Sequence, residues 1–102
     1  MVYHYRYLEL DTKLKLLKRY SNMKTYPDEP LEIIHISSIT SIKKIKLESK
    51  HYYFEINFKL KNSSKIKSEY YRSKHLISRN EWYNKIKEIW DYINKKRIFP
   101  KN

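Results

Sequence analysis

Glycine is absent from the 102 residues, and so is cysteine. Without glycine every tight turn must be built from Asn, Asp, Ser or Pro, which enter left-handed or turn geometry less freely. The same absence removes both common phosphate-cradling glycine loops, which argues against a nucleotide-binding enzyme. Without cysteine there is no thiol chemistry and no redox clue. No apolar run approaches the roughly 20 residues that a membrane-spanning helix needs, and no apolar signal-peptide segment opens the chain, so a soluble protein with no encoded address is expected. Acidic residues are also scarce: 11 Asp and Glu stand against 23 Lys and Arg, a formal net charge of +12. A field of that sign attracts lipid headgroups, nucleic acid or acidic protein surfaces. The abundance of Lys, Asn, Ile and Tyr reads equally well as a coding bias.

What is present organises itself around the C-terminal stretch from Ser78 to about Lys96. Trp82, Ile86, Ile89, Trp90 and Ile93 recur at helical spacing and form one apolar face. Arg79, Lys85, Lys87, Glu88, Asp91, Asn94 and Lys95 take the other face. Ser78 and Glu81 have the spacing of a capping box, in which each side chain satisfies the other's backbone N–H. Such a helix must lay its two indoles on a core. The remainder of a single domain of this size supplies one, with many of the 11 Tyr and 3 Phe on short strands.

Residues 1–11 read as one strand, with Tyr3, Tyr5 and Tyr7 on one face and His4, Arg6, Leu8 and Leu10 on the other. Asp11 and Thr12 turn the chain, and Leu14 to Tyr20 return as a strongly basic second strand. Residues 21–30 are a loop in which Pro27 and Pro30 bracket Asp28 and Glu29. A short strand over 31–37 and a break at 38–40 follow. In the next strand, 41–47, the imperfect alternation of Ile42, Ile45 and Leu47 with lysines predicts a twist or bulge. Residues 51–60 make the strongest strand, where Tyr52, Phe54, Ile56 and Phe58 alternate with Tyr53, Glu55, Asn57 and Lys59. A turn at 61–65 leads to a last strand over 68–74. The reading is α+β, mainly β: about six strands capped by one C-terminal amphipathic helix, a domain over 1–98 with a frayed tail at 99–102.

The order of these elements resembles a pleckstrin homology (PH) domain, a bent antiparallel sheet closed by a C-terminal helix that carries a characteristic Trp. YHYRYLELD looks like the family's second strand, LKLLKRY its third, EPLEIIHISSITSI its fourth and the turn into its fifth, YYFEINF its sixth, and EYYRSKHLISRNEWYNKI its last strand and helix. Trp82 sits where the signature Trp sits. On this alignment the family's first strand is missing, and the edge it leaves bare can pair with another chain, including a second copy. A narrower likeness, through the YLELD-like opening, is to the PH-like proteins of the apicomplexan inner membrane complex, although the N-terminal Gly-Cys acylation signal is lacking here.

The resemblance implies a headgroup site in which several cations converge on adjacent phosphates. His4 and Arg6 would supply the second-strand pair, Lys18 and Arg19 the third-strand positions, and Lys24 the loop that follows. With a mostly neutral His4 and no first-strand cation, weak attraction to an anionic leaflet is expected rather than stereospecific recognition. Lys43, Lys44, Lys46, Lys59, Lys61, Lys65 and Lys67 offer a second basic surface, or simply keep a Tyr-rich sheet in solution. Tyrosines beside cations, as in Tyr70-Tyr71-Arg72 and Tyr5-Arg6-Tyr7, suit single-stranded nucleic acid, but no RNA-binding signature accompanies them.

His35, His51 and His75 lie apart, with no carboxylate spaced to complete a metal site. Glu88 and Asp91 sit among lysines as surface acids do. No catalytic residue, metal or cofactor is therefore expected. The functional expectation is a non-catalytic adaptor, cytoplasmic and peripheral at a membrane face, that docks on anionic lipid. A protein-interaction scaffold without lipid contact is the alternative, and a nucleic-acid-binding module ranks third.

Overall fold

A computed structural model describes residues 2–5, 7–21, 29–45 and 51–98, with side chains over 7–21, 29–45 and 51–95. The chain divides into two compact units, Met1–Ser37 and Ser38–Asn102.

The first unit is a four-stranded antiparallel sheet of β1 (Val2–Tyr5), β2 (Leu8–Asp11), β3 (Leu16–Arg19) and β4 (Glu32–His35), in that order. Its core row is one rung deep across three strands. Leu10 faces Leu17, Leu17 faces Ile34, and all three are buried almost completely. The strand expected over residues 1–11 is two strands, and Val2–Tyr5 pairs along Leu8–Asp11. β2 is therefore not a bare edge, and the first strand that the resemblance leaves missing is present. Unbroken Tyr alternation hid the turn, because no Gly, Pro, Asn or Asp marks it.

The β2–β3 turn shows how a glycine-free chain turns. The Asp11 carboxylate accepts the backbone N–H groups of Lys13 at 3.0 Å and Leu14 at 2.9 Å, a local side-chain turn that delays β3 to Leu16. Those bonds, the one from Leu14 above all, hold its carboxyl below the usual carboxylate range. Lys15 then takes a left-handed φ of 58°, and its carbonyl accepts the Ile36 amide at 3.1 Å. A Cβ in that region costs about 1–2 kcal/mol. Against this, glycine loosens the unfolded chain by about 0.4–1 kcal/mol. Lys15→Gly is therefore expected to stabilise the protein by about 0.5–1 kcal/mol, read as a Tm higher by roughly 2–8 °C. A Tm that falls would show that this turn stores no strain.

A 3-10 turn over Ile36–Ser38 leads into the second unit. There β5 (Ile39–Ile45), β6 (Tyr52–Lys59) and β7 (Ile66–Ser73) form an antiparallel sheet in sequence order, and α1 (Leu76–Ile98) lies against all three strands. The register slips between Ile39 and Ser41, which is the bulge that the imperfect alternation predicts. β5 starts at Ile39, so the break expected at 38–40 falls earlier, in the 3-10 turn. Phe54, Ile56 and Phe58 are buried on one sheet face as expected, whereas Tyr52, at the strand end, is 40% exposed. Phe54 stacks on Tyr71 with ring centroids 5.2 Å apart and meets the edge of the helix residue Tyr83 at 6.4 Å.

The helix keeps its predicted apolar face, with Trp82 and Ile86 buried. The Trp90 indole N–H donates to the Ile39 carbonyl at 2.9 Å, so a polar group of β5 is satisfied from the helix. Two expectations about the helix change. It begins at Leu76, and the His75 carbonyl accepts the Arg79 amide at 3.1 Å as its first bond. Ser78 therefore lies inside the first turn, and the capping box with Glu81 does not hold. The Ser73 hydroxyl instead accepts the His75 amide at 3.1 Å just ahead of the helix. Arg79, assigned to the polar face, reaches the sheet: its guanidinium donates to the Tyr53 carbonyl at 2.8 Å and lies 5.7 Å from the Tyr52 ring centroid. The helix continues to Ile98, and the tail at 99–102 lies outside the described residues.

Candidate functional site

Of the five cations that the resemblance places at a headgroup site, Arg6 and Lys24 lie outside the described residues. His4 is on β1 rather than on the second strand, and its side chain is likewise outside the described set. Lys18 and Arg19 are both on β3, as expected, but neighbours along a strand point to opposite faces. Each also sits directly across from a carboxylate. Lys18 is in register with Glu9, with its Nζ 3.7 Å from Oε1. Arg19 is in register with Glu32, with its guanidinium 3.6 Å from Oε1. Glu9 is itself buried and accepts the Tyr20 hydroxyl at 3.3 Å. β3 thus presents two internally neutralised cations on two faces.

Charge is divided unevenly between the units. Residues 1–37 carry 6 Lys and Arg against 5 Asp and Glu, a net of +1. Residues 38–102 carry 17 against 6, a net of +11, which is nearly the whole surplus. Any electrostatic surface of the protein is therefore chiefly a property of the second unit. Sequence reading located the lysines but had no boundary against which to sum them.

Among the seven lysines of the expected second basic surface, Lys46 lies outside the described residues. Lys43 is 3.3 Å from Glu55, Lys67 is 3.3 Å from Glu69, and Lys44 stands 5.0 Å above the Tyr83 ring. Lys59, Lys61 and Lys65 gather at the exposed β6–β7 hairpin.

On the sheet face opposite Phe54, Ile56 and Phe58, the β6 side chains Glu55 and Asn57 organise a polar network. Ser41 and Ser68 flank Asn57, and Lys43 and Tyr70 flank Glu55, all through direct cross-strand register. The Asn57 amide donates to the Ser41 hydroxyl at 2.7 Å and to the Glu55 carboxylate at 3.0 Å, and its carbonyl oxygen accepts the Ser68 hydroxyl. Glu55, only 7% exposed, has its carboxyl held below the ordinary range by the Tyr70 hydroxyl first, then by Asn57 and Lys43. The Tyr70 phenol is correspondingly raised. A carboxylate with its lone pairs so occupied is a structural brace on the sheet.

Among the described residues no three His, Cys, Asp or Glu are grouped to hold a metal ion, and no helix is long and apolar enough to cross a membrane.

This architecture is similar to that of two solved structures, one of them a PH domain. The solution structure of the PH domain of human oxysterol binding protein-related protein 11 matches with a TM-score of 0.65 at 18% identity, over 97% of this chain and 75% of that one. The structure of the Spt16D Pob3N heterodimer matches with a TM-score of 0.59 at 19% identity, over 81% of this chain and 79% of that one. No family model and no curated protein sequence matches. The fold is that of a PH-like domain.

Proposed function

We propose that residues 1–98 work as one PH-like, non-catalytic adaptor that docks peripherally on an anionic membrane face of the cytoplasm through weak, general attraction to phosphoinositides or phosphatidic acid. The observation that carries this reading is the +11 net charge of residues 38–102. Cations near an anionic leaflet contribute on the order of 1 kcal/mol each, so a few well-placed lysines suffice without a headgroup pocket. The pairing of Lys18 with Glu9 and of Arg19 with Glu32 supports general attraction over stereospecific recognition, since both cations already have carboxylate partners.

The same pairing favours, as a second reading, a protein-interaction scaffold without direct lipid contact. The Spt16D Pob3N neighbour is a heterodimer, which suits that alternative.

Flotation with vesicles separates the two. Binding is expected to be absent on neutral vesicles, similar on phosphatidylserine, phosphatidic acid and phosphoinositide vesicles of equal charge density, and steeply weakened by salt. Selectivity for one phosphoinositide that Arg6→Ala with Lys18→Ala abolishes would instead establish the headgroup site. No binding to any anionic vesicle at low salt would leave the scaffold.

A further inference from the structure

The β6–β7 hairpin combines features that nothing else among the described residues combines. From Ile56 to Ser68 the sequence INFKLKNSSKIKS contains Lys59, Lys61, Lys65 and Lys67 and no acidic residue. Every residue from Lys59 to Ile66 is exposed. Two of them are aliphatic: Leu60 is 37% exposed and Ile66 is 55% exposed.

The tip is also built rather than loose. The Leu60 amide donates to the Lys65 carbonyl at 3.1 Å, the Ser63 amide to the Leu60 carbonyl at 3.2 Å, and the Lys65 amide to the Ser63 hydroxyl at 3.0 Å. Asn62 supplies the left-handed residue at φ 58° that glycine would otherwise provide. Register pairs Lys59 with Ile66, so one face of the hairpin end carries one cation beside one aliphatic side chain. The bond between Leu60 and Lys65 sets the second aliphatic residue across from the second cation.

That alternation decides the partner. The core of a protein interface is depleted in Lys, and single-stranded nucleic acid is bound on aromatic platforms. Residues 59–66 have no aromatic side chain. A bilayer interface, by contrast, accepts aliphatic groups at the boundary of the acyl region while lysine stems extend alongside them and deliver their ammonium groups to the headgroups.

The geometry points to the β6–β7 hairpin as a membrane-inserting wedge, in which Leu60 and Ile66 enter the interface of an anionic bilayer and Lys59, Lys61 and Lys65 hold its phosphate and carboxylate groups. This rests on the lipid-docking reading above and assigns it to residues of the second unit.

The absence of cysteine makes a direct test simple. Ser63→Cys at the tip and Glu88→Cys on the exposed helix surface are each labelled with an environment-sensitive fluorophore and mixed with phosphatidylserine-containing vesicles at physiological salt. The tip label is expected to shift to the blue and become accessible to a quencher in the acyl chains, and the helix label to do neither. Lys59→Ala with Lys61→Ala and Lys65→Ala should weaken flotation about 100-fold. Leu60→Ser with Ile66→Ser should weaken it about 10-fold, with the salt dependence retained. If the unsubstituted chain floats while the tip label is unmoved, or while both variants bind undiminished, the wedge is overturned and the general lipid reading stands. If the unsubstituted chain does not float, both fall.

Discussion

Replacing Trp82 by alanine is expected to destabilise the protein by about 3–5 kcal/mol, the range for emptying a buried aromatic site. Trp82 is 8% exposed, Ile86 one turn later is fully buried, and α1 rests on β5, β6 and β7 alike. A cavity there opens beneath the helix that covers the sheet, and a helix cannot collapse around one lost indole without moving its other contacts. Among those are the Trp90 indole bond to Ile39 and the Arg79 bond to Tyr53. A domain has only about 5–15 kcal/mol in total, so the substitution removes a large part of the stability. The check is urea unfolding: a midpoint lowered by a third or more with an unchanged slope is the expected result. A midpoint within error of the original would mean that Trp82 does not anchor the helix. Trp82→Phe, which refills most of the volume, should recover much of the loss.

Asn57→Ala is expected to have the next largest effect, about 2–3 kcal/mol at neutral pH, because one side chain makes three hydrogen bonds of about 0.5–1.5 kcal/mol each. It donates to Ser41 and Glu55 and accepts from Ser68, tying β5, β6 and β7 across one face. The loss should depend on pH. Glu55 titrates below its ordinary value of 4.5 in the folded protein, mostly through the Tyr70 hydroxyl and then through the Asn57 amide and Lys43. A lowered folded pKa gives stability that is present above the unfolded value and disappears as pH falls through the folded one. Removing the Asn57 donor lets the Glu55 carboxyl rise toward its ordinary value, so the variant has less to lose on acidification. The stability gap between the two proteins should therefore be widest above about pH 5 and should narrow toward pH 3. Asp11 also titrates in this window, but its partners are the Leu14 and Lys13 amides, and its contribution cancels in the difference. A gap that is constant from pH 7 to pH 3 would show that Asn57 does not act through the Glu55 carboxylate.

Local pattern made much of this fold legible. The 3.6-residue recurrence of Trp82, Ile86, Ile89, Trp90 and Ile93 and the strict alternation through Phe54, Ile56 and Phe58 each reflect one element burying one face, and periodicity records that directly. The bulge in β5 was readable for the same reason, as an alternation that skips. Boundaries were less so. The turn between Val2–Tyr5 and Leu8–Asp11 has no breaker residue to announce it, and the cap at His75 depends on a backbone carbonyl that any residue possesses.

By itself the sequence determined the composition-level facts: a basic, glycine-free chain with one amphipathic helix and several strands. Tertiary structure alone decided which charges remain available. Lys18 and Arg19 are spent on Glu9 and Glu32, and Lys43 on Glu55, because register brings together residues 9 to 13 positions apart. Among the described residues, Lys59, Lys61 and Lys65 have no such carboxylate opposite them, because the hairpin folds their acid-free segment onto itself. A cation's partner is set by which strand lies beside it, and that depends on chain closure over distances that no local pattern records.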